Sequence, residues 1–228
     1  MSKPVYKSTQ NRTLGQLLKH EGPLGSSRKS VTVLGGNGAS RVLTVGMLAA
    51  AVLVGGITIT PAGGNTGTGA LGAATLGPKA QAGDYKVTCI SAVANGGVFS
   101  VVDPSGNAMP PALAGVPYTS NDLNFTITDA ATDWAVGDSI TVTVADGSHK
   151  VVELSPDADP LDGSHRVLGL VAQDVTAPDG ADASGLLIVE DAIVAAGSIV
   201  WPAGITEAQQ TVALAELAER KIRVRTSG

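Results

Sequence analysis

Between Gly63 and Ala145 the chain alternates apolar and polar residues in short runs. Tyr85, Val87 and Cys89 alternate with Lys86 and Thr88, and Phe99 and Val101 flank Ser100. Leu123, Phe125 and Ile127 alternate with Asn124 and Thr126, and Ile140, Val142 and Val144 with Thr141 and Thr143. Successive side chains leave opposite faces of a strand, so this period of two defines strands with one buried face. Turn formers separate the runs: Asn95-Gly96-Gly97, Asp103-Pro104-Ser105-Gly106-Asn107 and Val136-Gly137-Asp138. The stretch is expected to fold as one antiparallel, β-sandwich-like unit. A glycine-rich segment enters it and Asp146-Gly147 leaves it, which marks residues 63–146 as a domain inserted into a loop of another. The host core then comprises residues 30–62 and 147–228.

The core must be built without much aromatic volume. Aromatics make up 3% of the 228 residues and charged residues 15%, while 29 are glycine. That is the profile of a turn-rich β protein with a nearly neutral surface, which loses little hydration on packing against neighbours. The single cysteine, Cys89, rules out an internal disulfide, and its place on the apolar face of its strand reads as a buried structural thiol. His20, His149 and His165 lack metal-ligand spacing, so no metal is expected.

Charge is distributed unevenly. In the first thirty residues Lys3, Lys7, Arg12, Lys19, Arg28 and Lys29 stand against Glu21 alone, a net +5 in a chain whose total is −5. Apart from Leu14, Leu17 and Leu18 this segment has no sustained apolar period, and residues 1–29 read as a flexible basic arm that orders on a partner. Its lysines are spread out and the chain is acidic, so no nucleic-acid partner is expected.

From Arg41 to Ile59 an apolar run is nearly long enough to span a bilayer. Gly46, Gly55 and Gly56 interrupt it and β-branched residues crowd its ends, so it is read as two buried strands around Met47 to Ala51. Farther on, SPDADPLDGSHR has Leu161 where a calcium loop needs a ligand, and is an acidic surface turn. Buried runs follow at Val167–Val171, Leu186–Val189 and Ile193–Ala195. Thr206 with Gln209 forms a capping box for a helix whose apolar side is Ala208, Val212, Ala215 and Ala218. That side is expected to dock on the core, and Ile222-Arg223-Val224-Arg225 to close the sheet as a strand. Gly35–Gly38 lacks the downstream lysine of a phosphate loop and reads as a hairpin turn. With no catalytic motif, no enzyme activity and no cofactor are expected.

The stretches SRKSVTVLGGNGASRVLTVGMLAA, SHRVLGLVAQDVTAPDGADASGLLIVEDAIVAAGSIVWPAGIT and AELAERKIRVR resemble the lambda-type head decoration proteins of tailed phages. The central block is similar to a β module that recurs in phage structural proteins. The resemblance implies a mainly β fold, a β-clip-like core with a small C-terminal helix. It also implies a noncatalytic protein made in the host cytoplasm, which sits on the outer surface of the virion capsid. Its partners would be the major capsid protein and itself, as homotrimers at three-fold positions that stabilise the expanded shell against DNA pressure, with no membrane involved. The arm of such proteins adds a strand to a capsid sheet, which makes Pro4, Val5, Tyr6, Lys7, Arg12, Leu14, Leu17 and Leu18 the docking candidates. Two other readings compete: a surface β-sandwich adhesin anchored in a membrane by Val42–Ile59, and a glycan-binding module using Trp134 and Tyr118.

Overall fold

The computed structural model describes residues 13–22, 26–159 and 161–226. The protein is mainly β with one small C-terminal helix, as expected, and its chain divides into two compact units. Unit 1 comprises residues 1–51, 150–156 and 164–228; unit 2 comprises residues 52–149 and 157–163.

In chain order unit 1 begins with a helical turn α1 (Leu14–Leu17), then β1 (Leu18–Glu21), β2 (Arg28–Val33), β3 (Arg41–Leu43) and β4 (Leu48–Ala51). Unit 2 supplies β5 (Val54–Pro61), β6 (Ala70–Leu71), β7 (Thr75–Leu76), β8 (Gly83–Val93), β9 (Gly96–Val102), β10 (Ala108–Leu113), β11 (Pro117–Thr119), β12 (Leu123–Thr128) and β13 (Ser139–Asp146). The chain returns to unit 1 with β14 (Val151–Glu153), β15 (Gly169–Val171), β16 (Val175–Ala177), β17 (Ala183–Ile188), β18 (Ala192–Ala195), α2 (Glu207–Glu219) and β19 (Ile222–Arg225).

Unit 2 is a sandwich. One sheet runs β10-β9-β8-β13-β5, and the other is built on β12, flanked by β11, β6 and β7. Every alternating run of the sequence forms a strand, and the alternation maps onto burial: Tyr85, Val87, Cys89, Ile140, Val142 and Val144 are each at most 1% exposed. Pro110 and Pro111 lie in β10 at the sheet's edge, where a missing amide breaks no ladder. β5 pairs with β13 from Pro61↔Ile140 to Val54↔Asp146. This moves the domain boundary from the expected position after residue 62 to Ala51. The acidic turn also divides: residues 157–163 belong to unit 2, where the Asp162 carbonyl accepts from the Leu53 and Val54 amides at 2.7 and 3.1 Å.

Unit 1 centres on a closed barrel, β14-β2-β17-β15-β4, whose core is Val33, Ala49, Val151, Val171 and Leu187 with Leu43 and Ala177 from the β3–β16 pair. Small residues permit so tight a closure. A Cβ on Gly169 would lie 2.2 Å from the Ile188 carbonyl oxygen. A third sheet, β1-β18-β19, pairs β19 parallel to β18.

The apolar run 41–59 becomes three short strands rather than two, broken at Gly46, whose φ of +89° suits a residue without Cβ. Among the described residues no helix is long and apolar enough to cross a membrane. The Gly35–Gly38 turn is not a hairpin: β2 pairs with β17 and β3 with β16, so the loop passes between two sheets. The helix α2 has the expected capping box, Thr206 N donating to Gln209 Oε1 at 2.8 Å and Gln209 N to Thr206 Oγ1 at 3.3 Å. Its docked side differs. Ala213 and Leu217 are buried, whereas Ala208, Val212, Ala215 and Ala218 face solvent.

Candidate functional site

The eight docking candidates separate. Pro4, Val5, Tyr6, Lys7 and Arg12 lie outside the described residues. Leu14, Leu17 and Leu18 lie inside unit 1, because an apolar triplet beside an open strand edge can bury area that its basic neighbours cannot. Thr13 N donates to Gln16 Oε1 at 3.0 Å, which starts the turn of α1. Leu17 is fully buried, and β1 continues it as an antiparallel partner of β18 through Leu18↔Val194 and Glu21↔Ala192. Ser198 Oγ donates to the Gln16 carbonyl at 3.1 Å. Residues 13–22 are therefore part of the fold, which shortens the expected arm of residues 1–29 at its C-terminal side.

The chain thus enters unit 1 beside the three-stranded sheet. On β19, Ile222 is buried and Val224 half-buried, so the alternating Arg223 and Arg225 leave the exposed face. His20, Ile193 and Arg223 lie in register across the three strands. A groove of about 320 Å³ opens there, lined by His20, Asp191, Ile193, Lys221 and Arg223. Elsewhere on unit 1, α2 exposes Val212 (59%) and Leu214 (37%), and β3 exposes Val42 (55%). None of these exposed apolar residues has a covering segment among the described residues.

Several sequence candidates are occupied by the fold itself. Trp134 is 2% exposed, packs edge-on against Phe99 at 5.2 Å and donates its indole N–H to the Thr128 carbonyl at 3.2 Å. Tyr118 stacks on Phe125 at 4.6 Å and is 6% exposed. Neither ring offers a face to a sugar, which removes the residues on which the glycan-binding reading stood. The Gly35–Gly38 amides are spoken for as well: Gly35 N and Gly38 N donate to the carboxylates of Asp182 and Asp179 at 3.0 and 2.8 Å. The Lys150 ammonium and the Gly35 amide hold the Asp182 carboxyl below its ordinary range.

Cys89 is 1% exposed, and burial raises its thiol pKa, so the neutral form dominates at physiological pH. Asp138 is the one buried acid of unit 2 with a clear structural task. Burial alone would raise its pKa, but the Ala135, Thr66 and Gly67 amides donate to it at 2.8–2.9 Å and the net shift is downward. It ties the 135–138 turn, next to Trp134, to the glycine-rich loop between β5 and β6. Sequence reasoning missed it, although an acid closing a Val-Gly-Asp turn is a candidate acceptor for neighbouring amides. No group of three His, Cys, Asp or Glu side chains gathers at metal-binding distance among the described residues.

Fold and surface together describe a two-unit β protein whose exposed features, among the described residues, include a basic sheet face and an apolar helix face. The chain belongs to the family of the bacteriophage lambda head decoration protein D, whose pattern matches residues 7–222. It is thus a phage head decoration protein, a structural protein of the virion capsid. No curated protein sequence matches it. Among solved structures, two crystal forms of Xanthomonas campestris FlgL align at 18% identity and a TM-score of 0.32, covering 45% of this chain and 33% and 32% of theirs. The flagellar junction protein FlgL from Legionella pneumophila aligns at 20% identity and a TM-score of 0.31, covering 45% of this chain and 37% of its own. This chain spans about a third of the length of those proteins, and likeness at so low a TM-score bears on neither its fold nor its function.

Proposed function

We propose that this protein binds the outside of the expanded phage head as homotrimers at three-fold positions, clamps neighbouring major capsid subunits and stabilises the shell against DNA pressure. Family membership over residues 7–222 is the observation that carries this reading. The N-terminal segment with Pro4, Val5, Tyr6, Lys7 and Arg12 is the docking element. It would order on the shell by adding a strand to a capsid sheet, where main-chain hydrogen bonds supply affinity and alternate side chains specificity. Trimerisation is supported by the exposed side of α2, since a 13-residue helix that buries only Ala213 and Leu217 leaves Val212 and Leu214 to water in a monomer.

Three copies at one symmetric position act through effective concentration, so the trimer holds while each protomer contributes little. Ordering the arm costs about 2–5 kcal/mol and makes binding depend on an exposed receiving edge, which lets the protein distinguish expanded from immature shells. The membrane-anchored reading loses its basis, because Val42–Ile59 is divided among β3, β4 and β5.

The test is a deletion of residues 1–12, which ends before the buried Leu17. Shell binding should be lost while the thermal midpoint stays within about 2 °C, a change well under 1 kcal/mol. Retained binding would place docking elsewhere.

A further inference from the structure

We propose that the exposed face of the β1-β18-β19 sheet is a second shell-docking surface, and that it recognises a carboxylate-rich surface of the capsid protein. The inference rests on the decoration reading and adds to it a partner chemistry and the residues that read it.

Among the described arginines, Arg28 pairs with Glu21, Arg41 with Glu153 and Arg166 with Glu216, while Arg220 donates to the Val167 carbonyl. Among the described residues Arg223 and Arg225 make no ion pair, and neither do Lys19 and Lys221. All four are exposed, and β19 sets both arginines on the solvent side of one sheet. His20 and Arg223 flank Ile193, giving an apolar centre between an imidazole and a guanidinium, and Asp191 is the acid of the groove. Lys221 stands at φ +59°, a left-handed position after the helix that glycine fills at lower cost.

Charge separates the two units. Unit 2 carries ten aspartates against Lys79 and Lys86, a net −8, whereas unit 1 has thirteen Lys and Arg against ten acids, a net +3. The segment of residues 1–12, with Lys3, Lys7 and Arg12, leads into β1 of this same sheet. Arm and face therefore share one sign and one point of origin, and complementarity calls for an acidic partner. Protein is favoured over nucleic acid because the face has an aliphatic centre, Ile193, and, among the described residues, no aromatic ring for a base.

The experiment measures binding of the full chain to expanded shells that lack it, between about 50 and about 300 mM salt, a range over which exposed charges become screened. Arg223→Glu/Arg225→Glu should weaken binding at low salt by at least about tenfold and flatten the salt dependence, while Arg223→Lys/Arg225→Lys should stay within about threefold of wild type. Lys19→Glu/Lys221→Glu should reproduce the loss from different positions, and it keeps the test decisive if the arginine variant fails to fold. Wild-type binding that neither reversal alters would overturn this inference and leave the decoration reading standing. Wild-type protein that binds no shell at any salt would overturn both. Retardation of linear duplex DNA by wild type and not by the reversals would reassign the face to nucleic acid and overturn the inference.

Discussion

The two units solve the same problem with different materials. Unit 2 holds Tyr85, Phe99, Tyr118, Phe125 and Trp134, all at most 6% exposed, and packs them between two sheets. Unit 1 has no buried aromatic among its described residues and closes a barrel on Val, Ala, Leu and glycine contacts instead. Aromatic rings bury large area apiece, so a sandwich of this size becomes self-sufficient, whereas a small-residue barrel gains less from each side chain. The surfaces differ in charge rather than in apolar exposure. Unit 2 carries a net −8 and exposes Leu53, Ile90, Val93, Leu113, Val116 and Val136, while unit 1 carries a net +3 and exposes Val42, Val212, Leu214 and the arginines of β19. The contrast teaches that the two units differ in how their cores are filled and in the sign of the charge they present.

The largest expected effect comes from removing the ring at the centre of unit 2. Trp134→Ala should lower that unit's stability by roughly 4 kcal/mol, through lost transfer energy, the cavity against Phe99 and the lost indole hydrogen bond to the Thr128 carbonyl. In calorimetry the transition that carries the near-ultraviolet aromatic signal should move, and shell binding should not. A single transition in which both units fall together would break the comparison.

Leu17→Ala should cost unit 1 roughly 3 kcal/mol, because the side chain is fully buried where the described chain begins. The aromatic signal of unit 2 should be unaffected. A loss under about 0.5 kcal/mol would return Leu17 to the arm, since only surface positions are so tolerant.

Asp138 gives a smaller effect with a definite sign. Its carboxyl is held below its unfolded value of about 3.9, so its stabilisation is fully present above that pH and is lost as pH falls through the folded value. Asp138→Asn should cost unit 2 about 2 kcal/mol at pH 7 and remove part of its acid sensitivity below about pH 4. Midpoints that track each other between wild type and variant at every pH would contradict the role of the three amides.

How far the sequence could be read depended on whether a feature is local. The strands around Tyr85, Phe125 and Val142 announce themselves in five residues, because alternation is a property of each strand alone. The capping box at Thr206 and Gln209 is equally local. β5 is not placed by local pattern, because its partner, β13, lies some 80 residues on in the chain and its own Ile57 and Ile59 suit either core. The docked side of α2 is hidden in the sequence for a related reason. An alanine-rich helix has little contrast between its sides, so tertiary packing of Ala213 and Leu217 decides what periodicity leaves open. Leu17 passed for part of a polar arm because three leucines among lysines bury area only once β18 is there to receive them. The basic sheet face is invisible for the same cause: Arg223 and Arg225 are a strand signal in the sequence, and only the paired sheet sets Arg223 across Ile193 from His20.

The central claim is that this chain decorates an expanded phage head. The most direct measurement mixes the purified protein with expanded shells lacking it, pellets them, and counts bound copies against added protein. The account predicts saturation at one trimer per three-fold position, with immature shells taking up little. A folded protein that stays in the supernatant at every concentration, with cognate expanded shells in the pellet, would contradict it.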